Sequence, residues 1–177
     1  MSESEVWIVK LKDGREVTVR PLQMEDKWKL IELFASMSVE ALKWGMPPYT
    51  QEVIERWMNN LPNFIALVAK SNNRVIGYAN ISKHPHARRK GVGDLIIYLH
   101  QDFHNVGLGT ALLDHLINLA KRQNLHRIGL HVIADNKIAV HLYEKFGFKK
   151  EGVMKESYLG LDGKYHDEIV MGKLLGA

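Results

Sequence analysis

The chain has 177 residues, 46% hydrophobic and 25% charged, a composition that suits a globular protein with a sizeable core. No apolar run approaches the ~20 residues of a membrane span, and the absence of cysteine excludes disulfides, thiolate metal sites and a cysteine nucleophile. The net charge of +4 admits nucleic acid as a partner. The basic residues are scattered, however, and their densest cluster, His84 to Lys90, reads as a solvated loop, so a polyanionic small molecule explains the charge equally well. The opening MSESEVWIVK has no basic n-region followed by an apolar h-region. No signal peptide is expected, and neither a membrane nor a nucleic-acid partner. With the missing cysteines this fits a cytoplasmic protein.

Trp7 to Leu11 and Glu16 to Arg20 alternate on either side of Asp13-Gly14 and read as a hairpin that Pro21 ends. Leu22 to Met37 places Leu22, Trp28, Ile31, Leu33 and Phe34 at helical spacing. After a loop at Trp44 to Tyr49, Thr50 caps a second helix that Asn60 to Asn63 breaks. Phe64 to Ala69 is a continuous apolar run, as in a strand covered on both faces. Asn72-Asn73 turns it into Val75 to Ser82, and the basic loop leads to a strand at Gly93 to Leu99. A long amphipathic helix follows from Leu108 to Gln123, with Leu108, Leu112, Leu116 and Leu119 on one stripe. Arg127 to Ile133 alternates as a strand, and Asp135-Asn136 opens a helix that ends at Phe146, with Gly147 as its cap. Val153 to Leu159 and Tyr165 to Leu175 are two last strands joined through Asp162-Gly163. There are no repeats, low-complexity segments or linkers. One domain over residues 1–177 is expected, with a core at about 16–175 and an N-terminal strand extension at 1–15. The order of elements implies an α/β sandwich around a mixed sheet.

Between the strand ending at Leu99 and the long helix stands Gly107-Leu108-Gly109-Thr110. A helix start carries unpaired backbone N–H groups and partial positive charge, and glycine lets a phosphate approach closely. A bare Gly-x-Gly is also what a tight turn before a core helix needs. The dinucleotide fingerprint wants a third glycine where Leu112 stands, and the Gly-Lys-Ser/Thr of a P-loop is absent. The turn is therefore expected to hold the phosphates of some other ligand.

The motifs in this half of the chain resemble those of the GCN5-related N-acetyltransferase superfamily. Its cofactor motif, Gln/Arg-x-x-Gly-x-Gly/Ala, stands here as His104-Asn105-Val106-Gly107-Leu108-Gly109, after a similar strand end at Leu99 to Phe103. The second motif, His131 to Phe148, is similar to the last strand–helix unit of the family almost throughout, and Glu151-Gly152-Val153 and Asp162 to Asp167 also match many members. The resemblance covers about Glu16 to Leu175. It implies an α/β/α sandwich around a mixed, mostly antiparallel sheet of six to seven strands with splayed central strands. His104 departs from the usual Gln or Arg and brings less charge at neutral pH.

The resemblance implies acetyl transfer from acetyl-CoA, as co-substrate, to a primary amine by direct attack in a ternary complex. The amine of a protein N-terminus, a polyamine, an amino acid or another small molecule fits equally. A CoA-binding regulatory module without turnover is the alternative. Cofactor binding falls to Leu99, His104, Asn105, Val106, Gly107, Leu108, Gly109, Thr110, Asn136, Tyr143 and Lys145, with the Leu99 N–H or a neighbour as oxyanion donor. Lys145 and the loop around Arg88 read individually as solvated charges or as partners of the 3′-phosphate. Tyr143, two helical turns after Asn136, is placed beside the cofactor sulfur as proton donor. Asn136 can cap its helix and also bond the pantetheine arm. His131, twelve residues before Tyr143, occupies the place of a glutamate proposed as base in some peptide-acetylating relatives. It reads equally as a strand residue facing a helix or solvent. Asp94 is the second candidate base; the matching position is Gly93, so Asp94 reaches the site only through a bulge. His84 with His86, or His100 with His104, lacks the further ligands of a recognisable metal set, and no metal is expected. Glu156, Asp162, Asp167 and Glu168 suit a cationic acceptor or a solvated hairpin. Many relatives dimerise, and a homodimer is compatible with this sequence.

Overall fold

The computed structural model describes residues 5–176; residues 1–4 and 177 of the expected domain lie outside the described residues. The strands are β1 (Trp7–Lys10), β2 (Glu16–Pro21), β3 (Phe64–Ser71), β4 (Arg74–Lys83), β5 (Val92–Leu99), β6 (Arg127–Ile133), β7 (Lys149–Leu159) and β8 (Tyr165–Leu174). They form one mixed sheet in the order β1-β2-β3-β4-β5-β6-β8-β7, antiparallel everywhere except between β5 and β6. The sheet has eight strands where six to seven were expected. Trp7–Lys10 pairs residue for residue with Glu16 to Val19, so the presumed extension is a full member of the sheet.

The helices are α1 (Lys27–Ser36), α2 (Gln51–Asn59), α3 (Leu108–Arg122) and α4 (Lys137–Lys145). Alternation along the strands sends side chains to two cores. Leu67, Ile81, Leu95 and Ile128 pack with α3 and with Tyr143 of α4 on one face; Val68 and Tyr78 pack with Phe34 of α1 and Ile54 of α2 on the other. Strand β3 is buried on both faces, as its unbroken apolar run requires.

The first helix starts later than its apolar spacing suggests. Met24–Asp26 is a 3-10 turn, and α1 begins at Lys27. The cause is Asp26, whose carboxylate is held at 2.7 Å by both Nη1 and Nη2 of Arg20 and accepts the Gln23 N–H. Trp28 is consequently exposed, with the Lys27 ammonium over its ring, while Leu30, Leu33 and Phe34 form the buried stripe. Thr50 caps α2 through a bond from the Val53 N–H, and Gly147, at φ 80°, follows the end of α4 in the left-handed conformation that a helix stop uses.

Candidate functional site

The site begins where two strands part. Parallel β5 and β6 are in register only at Val92↔Arg127, Gly93↔Ile128 and Asp94↔Gly129. Beyond Asp94, β5 keeps its partner β4 and loses β6. The His100 N–H donates to the Ile76 carbonyl of β4. Alternation therefore turns the N–H and C=O of Leu99 away from β4, into the gap. A cleft of about 310 Å³ opens there. Ile97, Tyr98 and Leu99 form one wall, Asn136, Ala139, Leu142 and Tyr143 another, and Ala41, Trp44 and Gly45 cover it from the α1–α2 loop.

The turn before α3 is shaped for backbone donors. Asn105 (φ 59°) and Gly107 (φ 91°) are both left-handed, and Gly107 offers α3 no side-chain cap. Ala111 makes the first bond back, to the Gly107 carbonyl, so the N–H groups of Leu108, Gly109 and Thr110 have no carbonyl four residues before them within the helix. A Cβ on Gly109 would lie 3.4 Å from both Leu142 and Leu99 side chains. The glycine thus lets α3 start where β5 and α4 meet.

Leu99, His104, Asn105, Asn136 and Tyr143 all line the cleft. Val106, Gly107, Leu108, Gly109 and Thr110 continue from Asn105 outside its lining, as does Lys145 at the far end of α4. His104 does not reach for the turn: its Nε2 donates to the Leu99 carbonyl at 2.9 Å. Asn136 accepts the Ala139 N–H on Oδ1, which makes it the cap of α4, and its Nδ2 has no partner among the described residues. Tyr143 is buried against Phe148, and its hydroxyl makes no hydrogen bond among the described residues. Burial pushes its pKa well above the usual phenol value, so the group keeps its proton across the physiological range.

Neither candidate base lines the cleft. Asp94 lies at the closed end of the gap. Its Oδ2 is 3.0 Å from His84 Nε2, and a Cβ on Gly129 would meet its Oδ1 at 3.1 Å. His131 stands on β6 two residues past the last β5 pair, on the sheet face opposite Leu130 and Val132. Its Nδ1 is 3.1 Å from Oε2 of Glu168, which is 14% exposed. A carboxylate only accepts, so Nδ1 carries a proton, and it is the neutral ring whose Nε2 offers a lone pair.

On the same face, the α1–α2 loop is fastened over the sheet. The Tyr158 hydroxyl reaches the carbonyls of Lys43 (2.9 Å) and Gly45 (2.7 Å), and Tyr49 and Tyr98 share a hydrogen bond of 2.5 Å. His166 bonds Asp135 through Nδ1 (2.7 Å) and Asp162 through Nε2 (3.0 Å), with its ring edge-on to Trp44. Bonds to the Asp162 and Asp135 carboxylates raise its pKa. Sequence reasoning passed over His166, and over the pairing of Glu168, because both depend on how β8 registers against distant segments.

A model of the acetyltransferase (GNAT) family matches residues 29–148, and the chain belongs to that family. It is an N-acetyltransferase that uses acetyl-CoA as co-substrate. It is 26% identical over 160 residues to an L-amino acid N-acetyltransferase of Escherichia coli, covering 90% of this chain and 98% of that one. It is 30% identical over 162 residues to an N-alpha-acetyltransferase of Saccharolobus solfataricus, covering 86% and 92%. Among solved structures, an acetyltransferase of the GNAT family from Streptococcus pneumoniae superposes with a TM-score of 0.79 at 29% identity, over 90% of this chain and 99% of that one.

Proposed function

We propose that this chain acts as one catalytic domain that acetylates a primary amine by direct transfer, both substrates being bound together. The observation that carries the reading is Tyr143, a buried residue whose protonated hydroxyl has no hydrogen-bond partner among the described residues and lines the cleft that Leu99 walls on the other side. Absence of cysteine removes the most nucleophilic carrier for a two-step route.

The residues fit the co-substrate. The N–H groups at the start of α3 suit a diphosphate, the open edge of β5 suits the amides of a pantetheine arm, and Asn136 Nδ2 is a further donor on the opposite wall. Acetyl-CoA supplies a thioester whose C–S bond breaks as the C–N bond to the amine forms. An alkylammonium, with a reference pKa of about 10.4, must first lose a proton. His131 Nε2 takes it and passes it to solvent, with Glu168 holding the ring through Nδ1. The Leu99 N–H donates to the carbonyl oxygen as charge gathers there. Tyr143 gives its proton to the departing sulfur and regains one from the acetylated nitrogen. The balance is one amide and one thiol formed and one proton released.

The acceptor amine approaches from the face of His131 and Glu168, beneath the α1–α2 loop. An α-amino group is the reading that the names of the two curated relatives support. The test is incubation with acetyl-CoA and a panel of free amino acids, peptides with free N-termini and polyamines, while released thiol is followed. Thiol release with an α-amine and mass gain of one acetyl group is expected. Release with polyamines alone overturns the acceptor assignment, and cofactor-induced thermal stabilisation with no release for any amine overturns the transfer itself.

A further inference from the structure

The turn that opens α3 is poor in charge of its own. Residues 105–111 include no lysine or arginine, and His104 is turned to the Leu99 carbonyl. Positive charge comes instead from the other end of the sequence. Between β1 and β2, the Lys12 N–H donates to the Val106 carbonyl at 3.0 Å. A Cβ built on Gly107 would lie 3.6 Å from Lys12 Cγ and 3.7 Å from Lys12 Cε. The lysine stem therefore runs across the glycine at the mouth of the helix. Lys12 is exposed, and its ammonium has no ion pair among the described residues. The neighbouring cation, Arg15, is already committed: its Nε bonds Asp13, its Nη2 donates to the Asp102 carbonyl, and its guanidinium lies over the Phe103 ring. These contacts also fasten the β1–β2 turn to the segment before α3.

We propose that Lys12 is a coenzyme-binding residue whose ammonium pairs with the diphosphate of acetyl-CoA, supplying the charge that His104 does not. The proposal rests on reading the start of α3 as the diphosphate site. It makes the N-terminal hairpin part of the cofactor site rather than an appendage to the sheet. An exposed lysine held by its stem on a small residue can offer its charge to a ligand while paying little ordering entropy.

Calorimetry on the whole chain tests it with three ligands: acetyl-CoA, its 3′-dephospho form and S-acetylpantetheine, which lacks the diphosphate and the 3′-phosphoadenosine. Lys12→Ala is expected to weaken the first two about fivefold, as an exposed ion pair allows, and to leave the third and the melting temperature unchanged. Lys12→Arg should restore most of the affinity. Equal acetyl-CoA affinity in Lys12→Ala and the unaltered chain overturns the proposal, as does an equal loss for S-acetylpantetheine. A loss confined to acetyl-CoA with its 3′-phosphate assigns Lys12 to that phosphate and overturns the diphosphate pairing. If the unaltered chain binds S-acetylpantetheine as tightly as acetyl-CoA, the diphosphate reading of the α3 start fails before Lys12 is tested.

Discussion

Tyr143 buries its ring in the core while its hydroxyl, without a hydrogen-bond partner among the described residues, lines the cleft, so the oxygen is left for a ligand to meet. Tyr143→Phe removes only that hydroxyl. Turnover is expected to fall roughly a hundredfold, the lower range for a positioned proton donor, with acetyl-CoA affinity nearly intact; comparable turnover in the variant takes the phenol out of the chemistry. His131 and Glu168 are judged as a pair. Glu168→Ala frees Nδ1 of His131 and should cost about tenfold or more in kcat, while Glu168→Gln, whose amide oxygen still accepts from Nδ1, should recover part of it. The ring's tautomer, read by ¹⁵N NMR, should shift in the alanine variant alone. A KM rise for the amine at constant kcat would instead mean that Glu168 holds the acceptor. That Tyr143, Asn136 and Leu99 come together on one cleft was legible in the sequence because each belongs to a local strand–turn–helix unit. Glu168 lies 37 residues from His131 and Lys12 lies far upstream of Val106. Their contacts come from strand register and turn docking, which no local pattern encodes.

At the scale of elements, His166 is a knot of three connections: the start of α4 through Asp135, the β7–β8 turn through Asp162, and the α1–α2 loop through Trp44. Its pKa is raised by the two carboxylates, so the charged imidazole adds stability that is complete below the unfolded value of about 6.5 and fades as pH climbs through the folded value. Asp162 is held low by the same bond, and its share is present above about 3.9 and lost as pH falls. The melting-temperature difference between the native chain and His166→Ala should therefore be largest near pH 5 to 6 and shrink on the alkaline side. A difference that stays constant to pH 9 would mean the ring acts by packing against Trp44 alone. The elements themselves were largely readable, since apolar period, Thr50 and Gly147 fix their type and ends. The late start of α1 was hidden, because it follows from Arg20 seizing Asp26 across six residues.

At the scale of the molecule, what the pattern did not encode is the order of the sheet's last strands. The hairpin of β7 and β8 was legible from Asp162-Gly163, yet which of the two would lie against β6 was not; the inner place goes to β8, whose Ile169 and Met171 face the same core as Leu130. That choice brings Glu168 and His166 to the acceptor side. Acetyl-CoA bridging the β5 edge, the α3 start and α4 should couple both halves of the sheet. At a hundredfold excess over its Kd it should add about 2.7 kcal/mol to unfolding stability, visible as a rise in melting temperature.

The three shared register positions of β5 and β6 leave the sheet with a seam. On one side lie five strands, on the other three, and beyond Gly129 no register position joins β6 to β5. Amides flanking this seam should exchange with deuterium as two separate blocks in the free chain and as one in the complex. A protein that must admit a long thin molecule edgewise has in effect left its own fabric unsewn along one line, so that the guest becomes the thread.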